Sequence, residues 1–208
     1  AMHEELLKTN PFDSLNERIR LPRRLPRALD QHDSQRLKSA ITLHAKRDDF
    51  ESCCRKTAIQ LLLETGIRVS ELTHIRLEDV SLSDHSIKIH GKGNRQRLVY
   101  FLSKQLERTL QAYLAEREKL ATTEPQLLLT ASTRPLTPPK IRAWLREIAS
   151  TAGVERRVTP HMLRHTCATH WLELGLDIRF VQKLLGHHSI STTEIYTHVS
   201  DQGLRQAL

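Results

Sequence analysis

The sequence has few cysteines and no long apolar run, and each of these absences excludes a class of protein. Its 208 residues include three cysteines, which do not form the even, spaced set of a disulfide-stapled domain. No apolar stretch approaches the ~18 residues that a membrane-spanning helix needs, and the chain does not open with a signal-peptide pattern. We therefore expect a cytoplasmic protein in which Cys53, Cys54 and Cys167 are reduced thiols.

The sequence also lacks the spacings that are typical of metal sites. It contains no CxxC and no HExxH pattern. His161 and His165 are four residues apart and can share a helical face, but Met162 stands where a metalloprotease has glutamate. We therefore expect no bound metal ion.

Basic residues outnumber acidic ones along the chain. Lysine and arginine total 32 against 24 aspartates and glutamates, which gives a net charge of +8 and a pI near 9.7. This balance favours a polyanionic partner, although a merely soluble basic surface gives the same balance. The length fits one sizeable domain, or one domain with an arm.

Residues 1–30 differ in composition from the rest of the chain. Pro22 and Pro26 exclude one continuous helix, so this segment is predicted to be an extended arm. Several arginines crowd it, including Arg23 and Arg24. The arm either follows a DNA backbone or is an ordinary solvated linker.

Caps, glycines and apolar periodicity predict a mainly helical α+β domain over residues 31–208, with one small antiparallel sheet. The strands are predicted at 86–90 and 97–101, where branched and aromatic runs flank the turn sequence GKGNRQ. The apolar run at 127–130 is compatible with a strand or a turn. The predicted helices cover 33–47, 49–66, a short stretch capped by Ser70, 103–119, 138–150, 160–175, 177–186 and a last one from Ser191 that carries Tyr196.

Separate motifs contain the groups that phosphodiester chemistry needs. Arg68 in TGIRVSEL and Arg164 in HMLRH can hold phosphate oxygens, because the planar guanidinium matches their geometry and stays charged. His161 and His187 can move protons, since histidine titrates near neutral pH. The hydroxyl of Tyr196 can attack phosphorus if cations or a base stabilise its anion.

In this order and spacing the motifs resemble the catalytic domain of the tyrosine recombinases, of the phage-integrase and Xer type. The resemblance runs from about Leu25 to Val199 and includes GKGNRQR and HMLRHTCATHWLELGLDIRFVQKLLGHHSISTTEIYTHV. It implies a site-specific recombinase or integrase in which Tyr196 forms a 3′-phosphotyrosyl intermediate and frees a 5′-hydroxyl. A second DNA 5′-hydroxyl then reverses the step. Bond energy stays in the phosphotyrosine, so neither ATP nor another cofactor is implied.

The same resemblance implies a role for each residue. Arg68 and Arg164 would clamp the phosphate, and Lys92 in the hairpin turn would protonate the leaving 5′-oxygen. His161 would accept or return the proton of the tyrosine, and His187 would donate to a non-bridging oxygen.

Neighbouring residues have supporting or packing roles in this interpretation. Glu71 would fix the orientation of a neighbouring arginine or histidine by a charge-assisted hydrogen bond. His165 lies about 100° around the helix from Arg164 and is expected to be a core or capping histidine. The two other tyrosines, Tyr100 and Tyr113, are expected to be packing residues.

Further basic residues are candidates for DNA contact. Arg95 and Arg97 flank the hairpin turn and are expected to contact backbone phosphates. Lys140, Arg142 and Arg146 form a basic edge on the helix that begins at residue 138. That edge either enters the major groove or is a solvated charged face.

Recombination of two DNA duplexes implies four protomers at synapsis on nucleoid DNA, with the final DQGLRQAL packed on a neighbour. The resemblance also implies an N-terminal core-binding domain ahead of the arm, which is absent from this sequence. One alternative is a type IB topoisomerase-like enzyme that relaxes DNA by the same chemistry. A second alternative is a catalytically idle DNA-binding factor. The complete set of candidate catalytic residues argues against this alternative.

Overall fold

The described residues 28–44, 49–91 and 96–186 of the computed structural model contain seven α-helices, one short 3-10 helix (Leu77–Asp79) and one three-stranded antiparallel sheet. The mainly helical α+β class is therefore confirmed. The strands are β1 (Val80–Ser81), β2 (Ser86–His90) and β3 (Gln96–Tyr100). The helices are α1 (Gln31–His44), α2 (Phe50–Thr65), α3 (Val69–Leu72), α4 (Lys104–Glu118), α5 (Pro138–Thr151), α6 (Pro160–Glu173) and α7 (Ile178–Leu185).

Helix α2 is the central element and contacts α1, α4, α5 and α6. Asp49 caps its N-terminus by accepting a hydrogen bond from the backbone N–H of Ser52 at 2.7 Å, as its sequence position predicts. Gly66 ends the helix in the left-handed conformation, with φ of 62°. Cys54, Ala58, Leu61 and Leu62 recur at helical spacing along α2, and all four are fully buried.

The caps of the later helices also follow the sequence. The side chains of Ser103, Thr159 and Asp177 each accept a backbone hydrogen bond at the start of α4, α6 and α7. Pro138 begins α5, and Gly186 ends α7 with φ of 67°. The predicted bounds of these four helices are confirmed to within two residues.

Helix α1 begins earlier than predicted. Asp30 accepts a hydrogen bond from the backbone N–H of Asp33 at 2.7 Å, so the cap lies three residues before the expected start. The predicted end near residue 47 lies outside the described residues. Residues 1–27 of the predicted arm also lie outside the described residues, and these include Arg23 and Arg24.

The predicted hairpin is confirmed, with Ile87 opposite Val99 and Ile89 opposite Arg97. Strand β1 was not predicted, because its two residues are too short for a periodic pattern. The run at 127–130 does not form a strand. It makes one isolated bridge, between Leu129 and Pro135.

The two tyrosines that were expected to pack have different environments. Tyr113 is fully buried, donates to Leu127 O at 2.9 Å and accepts from Leu129 N at 3.1 Å, which confirms its packing role. Tyr100 is 48% exposed. Its predicted packing role is therefore wrong, because β3 turns Tyr100 away from the buried face that holds Val99.

The cysteine and membrane expectations agree with the described part of the chain. Cys53, Cys54 and Cys167 are free thiols, and burial raises the pKa of Cys54 to about 12. Among the described helices, none combines the length and the apolar composition that a membrane span requires.

Candidate active site

Arg68 lies between the glycine that ends α2 and the first turn of α3. A Cβ added to Gly66 would come 2.9 Å from a methyl group of Leu185, so glycine permits this close approach. The backbone N–H of Arg68 donates to Glu71 Oε2 at 2.9 Å, which makes Arg68 the cap residue of α3. The prediction that Ser70 caps this helix is wrong, because Ser70 lies inside it.

Glu71 lies between two arginine side chains. Arg68 Nη1 donates to Oε1 at 2.8 Å, and Arg97 donates to both oxygens, at 2.9 and 2.8 Å. Glu71 is only 9% exposed. Burial works to raise its pKa, but the hydrogen bonds from Arg97 and Arg68 outweigh burial and lower the pKa to about 2. The carboxylate is therefore charged throughout the neutral range.

Arg164 projects from α6 into the interior and is 3% exposed. The start of α6 is fixed by Thr159, whose hydroxyl accepts from the backbone N–H of Met162 at 3.2 Å. Arg164 Nη1 donates to Gly66 O at 2.7 Å, and Nη2 donates to Leu185 O at 2.6 Å. Arg164 therefore lies on the interior side of the turn at Gly66, which leads into Arg68.

Three arginines donate to three successive carbonyl groups at the C-terminal end of α7. The last carbonyls of a helix have no partner within it and form the negative end of its dipole, so cations stabilise them. Their guanidinium groups converge on the carbonyls of residues 184–186, and these residues immediately precede His187 in the sequence. The pairs are Arg97 with Leu184, Arg164 with Leu185 and Arg68 with Gly186, at N–O distances of 3.0, 2.6 and 3.4 Å.

The two histidines of the HMLRH motif have opposite environments. His161 is exposed in the first turn of α6, three residues before Arg164. Residues at this spacing lie on the same side of a helix. His165 is buried, which confirms it as a core residue.

Six of the predicted site residues lie outside the described residues: Arg23, Arg24, Lys92, Arg95, His187 and Tyr196. Lys92 and Arg95 belong to the sequence that joins β2 to β3, and His187 directly follows Gly186. Their roles stay predictions.

Arg97 is directed into the protein, whereas a phosphate contact was predicted for it. Its side chain is 14% exposed, and its guanidinium binds Glu71 and Leu184. The sequence contains a signal for this orientation, because Arg97 lies two residues before the buried Val99 and therefore on the same face of β3. The positive charge of Arg97 alone predicts a phosphate contact, whereas the register of β3 predicts the inward direction.

The basic edge of α5 is exposed at Lys140, Arg142 and Arg146. Lys140 Nζ lies 2.8 Å from Glu51 Oε1 and 5.3 Å from the ring centroid of Trp144. Contact between this edge and DNA stays a prediction.

One group of potential metal ligands occurs in the described residues, and it consists of Asp30, His32 and Asp33. Asp30 caps α1, and Arg156 lies 3.2 Å from Asp33 and 3.9 Å from Asp30. Capping and ion pairing therefore account for these carboxylates.

Guanidinium groups that converge around a turn, with a buried carboxylate that orients two of them, define a site of the kind that binds phosphate esters. Residues 27–203 match the family described as the phage integrase family. The chain belongs to this family, as the resemblance predicted.

The chain is similar to relatives of the Xer type. It is 39% identical over 211 residues to the tyrosine recombinase XerC of Mycobacterium sp. (strain KMS), and the match covers 99% of this chain and 69% of the relative. The crystal structure of XerA recombinase matches with 34% identity and a TM-score of 0.77, over 89% of this chain and 65% of that one.

A second solved structure is the XerH site-specific recombinase bound to palindromic difH substrate in a post-cleavage complex. It matches with 28% identity and a TM-score of 0.80, over 88% of this chain and 53% of that one. The chain spans about two thirds of the length of the curated relatives named tyrosine recombinase that it matches.

Proposed function

We propose that this chain is the catalytic domain of a site-specific tyrosine recombinase, which cuts and rejoins double-stranded DNA through Tyr196 without ATP or a metal ion. The observation that carries the proposal is the convergence of Arg68 and Arg164 on the end of α7. In a member of the phage integrase family, this convergence provides two cations where a phosphate must be held.

The two arginines offset the negative charge that builds on the phosphate oxygens during attack, and such preorganised charge usually dominates phosphoryl transfer. The side chain of Arg68 is 44% exposed, so it can reach a DNA phosphate while Glu71 holds it. Arg164 supplies its charge from behind the turn.

Tyr196 attacks the phosphorus and expels the 5′-oxygen of the next nucleotide. His161 accepts the phenolic proton, Lys92 gives a proton to the leaving oxygen, and His187 donates a hydrogen bond to a non-bridging oxygen. The product is a 3′-phosphotyrosyl link and a free 5′-hydroxyl. A 5′-hydroxyl from a second duplex attacks this link and regenerates the tyrosine.

The partner in this proposal is double-stranded DNA on the nucleoid, in the cytoplasm. Exchange between two duplexes requires four protomers, with Arg23, Arg24, Arg95, Lys140 and Arg142 as candidate DNA contacts. The relatives reported above carry recombinase names, which favours strand exchange over topoisomerase-like relaxation by a single protomer. A relaxation assay on supercoiled plasmid without paired sites distinguishes the two.

The decisive experiment uses a pool of nicked suicide duplexes with randomised core sequences, from which the short 5′-hydroxyl fragment diffuses after cleavage. Denaturing electrophoresis is expected to show a covalent protein–DNA adduct for the wild type and none for Tyr196→Phe. Tyr100→Phe is the matched control, because it removes an exposed hydroxyl elsewhere, and it should form the adduct normally. An adduct with Tyr196→Phe would show that Tyr196 is not the nucleophile. If the wild type binds the DNA but forms no adduct, the proposed chemistry is contradicted.

A further inference from the structure

Arg97 connects three separate elements of the site. It extends from β3, makes the two-pronged contact with Glu71 of α3, and donates from Nε to Leu184 O of α7 at 3.0 Å. Its partners lie 26 and 87 residues away in the sequence. Each of the three guanidinium nitrogens therefore donates to a protein oxygen.

The sheet explains why this guanidinium lies inside the protein. Arg97 is opposite the buried Ile89 in the β2–β3 register and lies on the same face as Val99. A charge in such a position is unfavourable unless it is paired and hydrogen-bonded. Glu71 and the end of α7 satisfy it.

Arg97 also lies against the glycine that ends α7. A Cβ added to Gly186 would come 3.1 Å from Cδ, Cζ and Nε of Arg97. The side chain therefore fills the space beside the last turn, at the position where the chain continues towards His187.

We propose that Arg97 is a positioning residue, which holds Arg68 in place through Glu71 and holds the end of α7 through Leu184. This inference rests on the proposed function and assigns to Arg97 a role other than contact with DNA. Glu71 shares its oxygens between Arg97 and Arg68, so the position of one guanidinium limits the position of the other. A lysine cannot reproduce the planar fork that makes all three contacts.

The first test compares wild type with Arg97→Lys on the nicked duplex pool. DNA binding is expected to stay within about twofold, while the rate of adduct formation falls about 10- to 100-fold, because a misplacement of about 1 Å can have this effect. The matched control is Arg76→Ala, which removes an arginine from an exposed ion pair with Glu78 and should change neither quantity. Wild-type rates with Arg97→Lys, or equal losses of binding and rate, would overturn the proposal.

A pH profile separates positioning from a general loss of structure. In the wild type Glu71 stays ionised in weak acid, since its pKa is about 2. Without the Arg97 fork its pKa rises, so the adduct rate of Arg97→Lys should fall at weakly acidic pH. The Glu71→Gln/Arg97→Lys double variant should lack this additional fall, and its rate should exceed the product expected from two independent losses, because both changes act on Arg68 through the same carboxylate. Rates that multiply as if the two changes were independent would contradict the mechanism.

A DNA-free measurement keeps this inference separate from the proposed function. The NMR signal of the Arg68 side-chain Nε–H is expected to shift or broaden in Arg97→Lys and to stay unchanged in Arg76→Ala. If the wild type forms no adduct, the proposed function fails, while this signal still decides whether Arg97 positions Arg68. An unchanged signal in folded Arg97→Lys would reject the positioning role.

Discussion

Arg68 donates two hydrogen bonds to Glu71, one from its backbone N–H at 2.9 Å and one from its side chain at 2.8 Å. The first bond caps α3, and the second fixes the direction of the guanidinium. A single carboxylate therefore determines both where the helix begins and where its exposed cation points.

Glu71→Gln is expected to destabilise the protein at neutral pH, since it removes the charge that pairs with two arginines. The folded pKa of about 2 lies below the usual 4.5, so the carboxylate stabilises the fold above pH 4.5 and loses this contribution as the pH falls towards 2. The contribution of the ionised carboxylate to the free energy of unfolding is of the order of 3 kcal/mol. Urea unfolding at a series of pH values measures it. The exposed Glu78→Gln is the control, and a wild-type advantage that is constant with pH would contradict the assignment.

His161→Ala should leave stability unchanged within about 0.5 kcal/mol, because the side chain is exposed. Adduct formation should slow by about 100- to 10,000-fold if His161 accepts the tyrosine proton. His170→Ala, at the other end of α6 and also exposed, is the control and should retain the wild-type rate. A normal rate in His161→Ala would remove this histidine from the mechanism.

Gly186→Ala should impair adduct formation as well as stability. Its φ of 67° disfavours a Cβ, and that Cβ would come 3.1 Å from the Arg97 side chain. Gly175→Ala is a matched control, since its φ of 84° imposes similar strain but nothing lies within 4 Å of the added Cβ. Both variants should lose about 1–2 kcal/mol in thermal unfolding. Only Gly186→Ala should slow the reaction at a temperature where both are folded.

Arg142→Ala tests the basic edge of α5. If Arg142 contacts a phosphate, the variant should bind duplex DNA more weakly, and the slope of log affinity against log salt should decrease by about one. Fluorescence anisotropy across a salt series measures this slope. Arg108→Ala, which removes an exposed arginine from α4, should leave it unchanged. Identical slopes for wild type and Arg142→Ala would indicate a solvated face.

Local signals in the sequence predicted much of the fold. The starts of α2, α4, α6 and α7 were predicted to within a residue or two, because capping by Asp49, Ser103, Thr159 and Asp177 depends on residues within one turn. Arg68, Glu71 and Arg164 were found because their motifs are contiguous. The contact between Arg97 and Glu71 was missed, since it joins residues 26 apart and depends on the register of β3. The exposure of Tyr100 was missed for the same reason.

The end of α7 has a consequence for inactive variants of this protein. In many enzymes the residues of the reaction centre lower heat tolerance, so a substitution there often makes the protein more robust. Here the arginines that charge and position the proposed reaction centre also neutralise the terminus of a helix. An inactivating substitution of Arg164 is therefore expected to lower the melting temperature. Such a substitution is unsuitable for preparing a stable, inactive form of the protein.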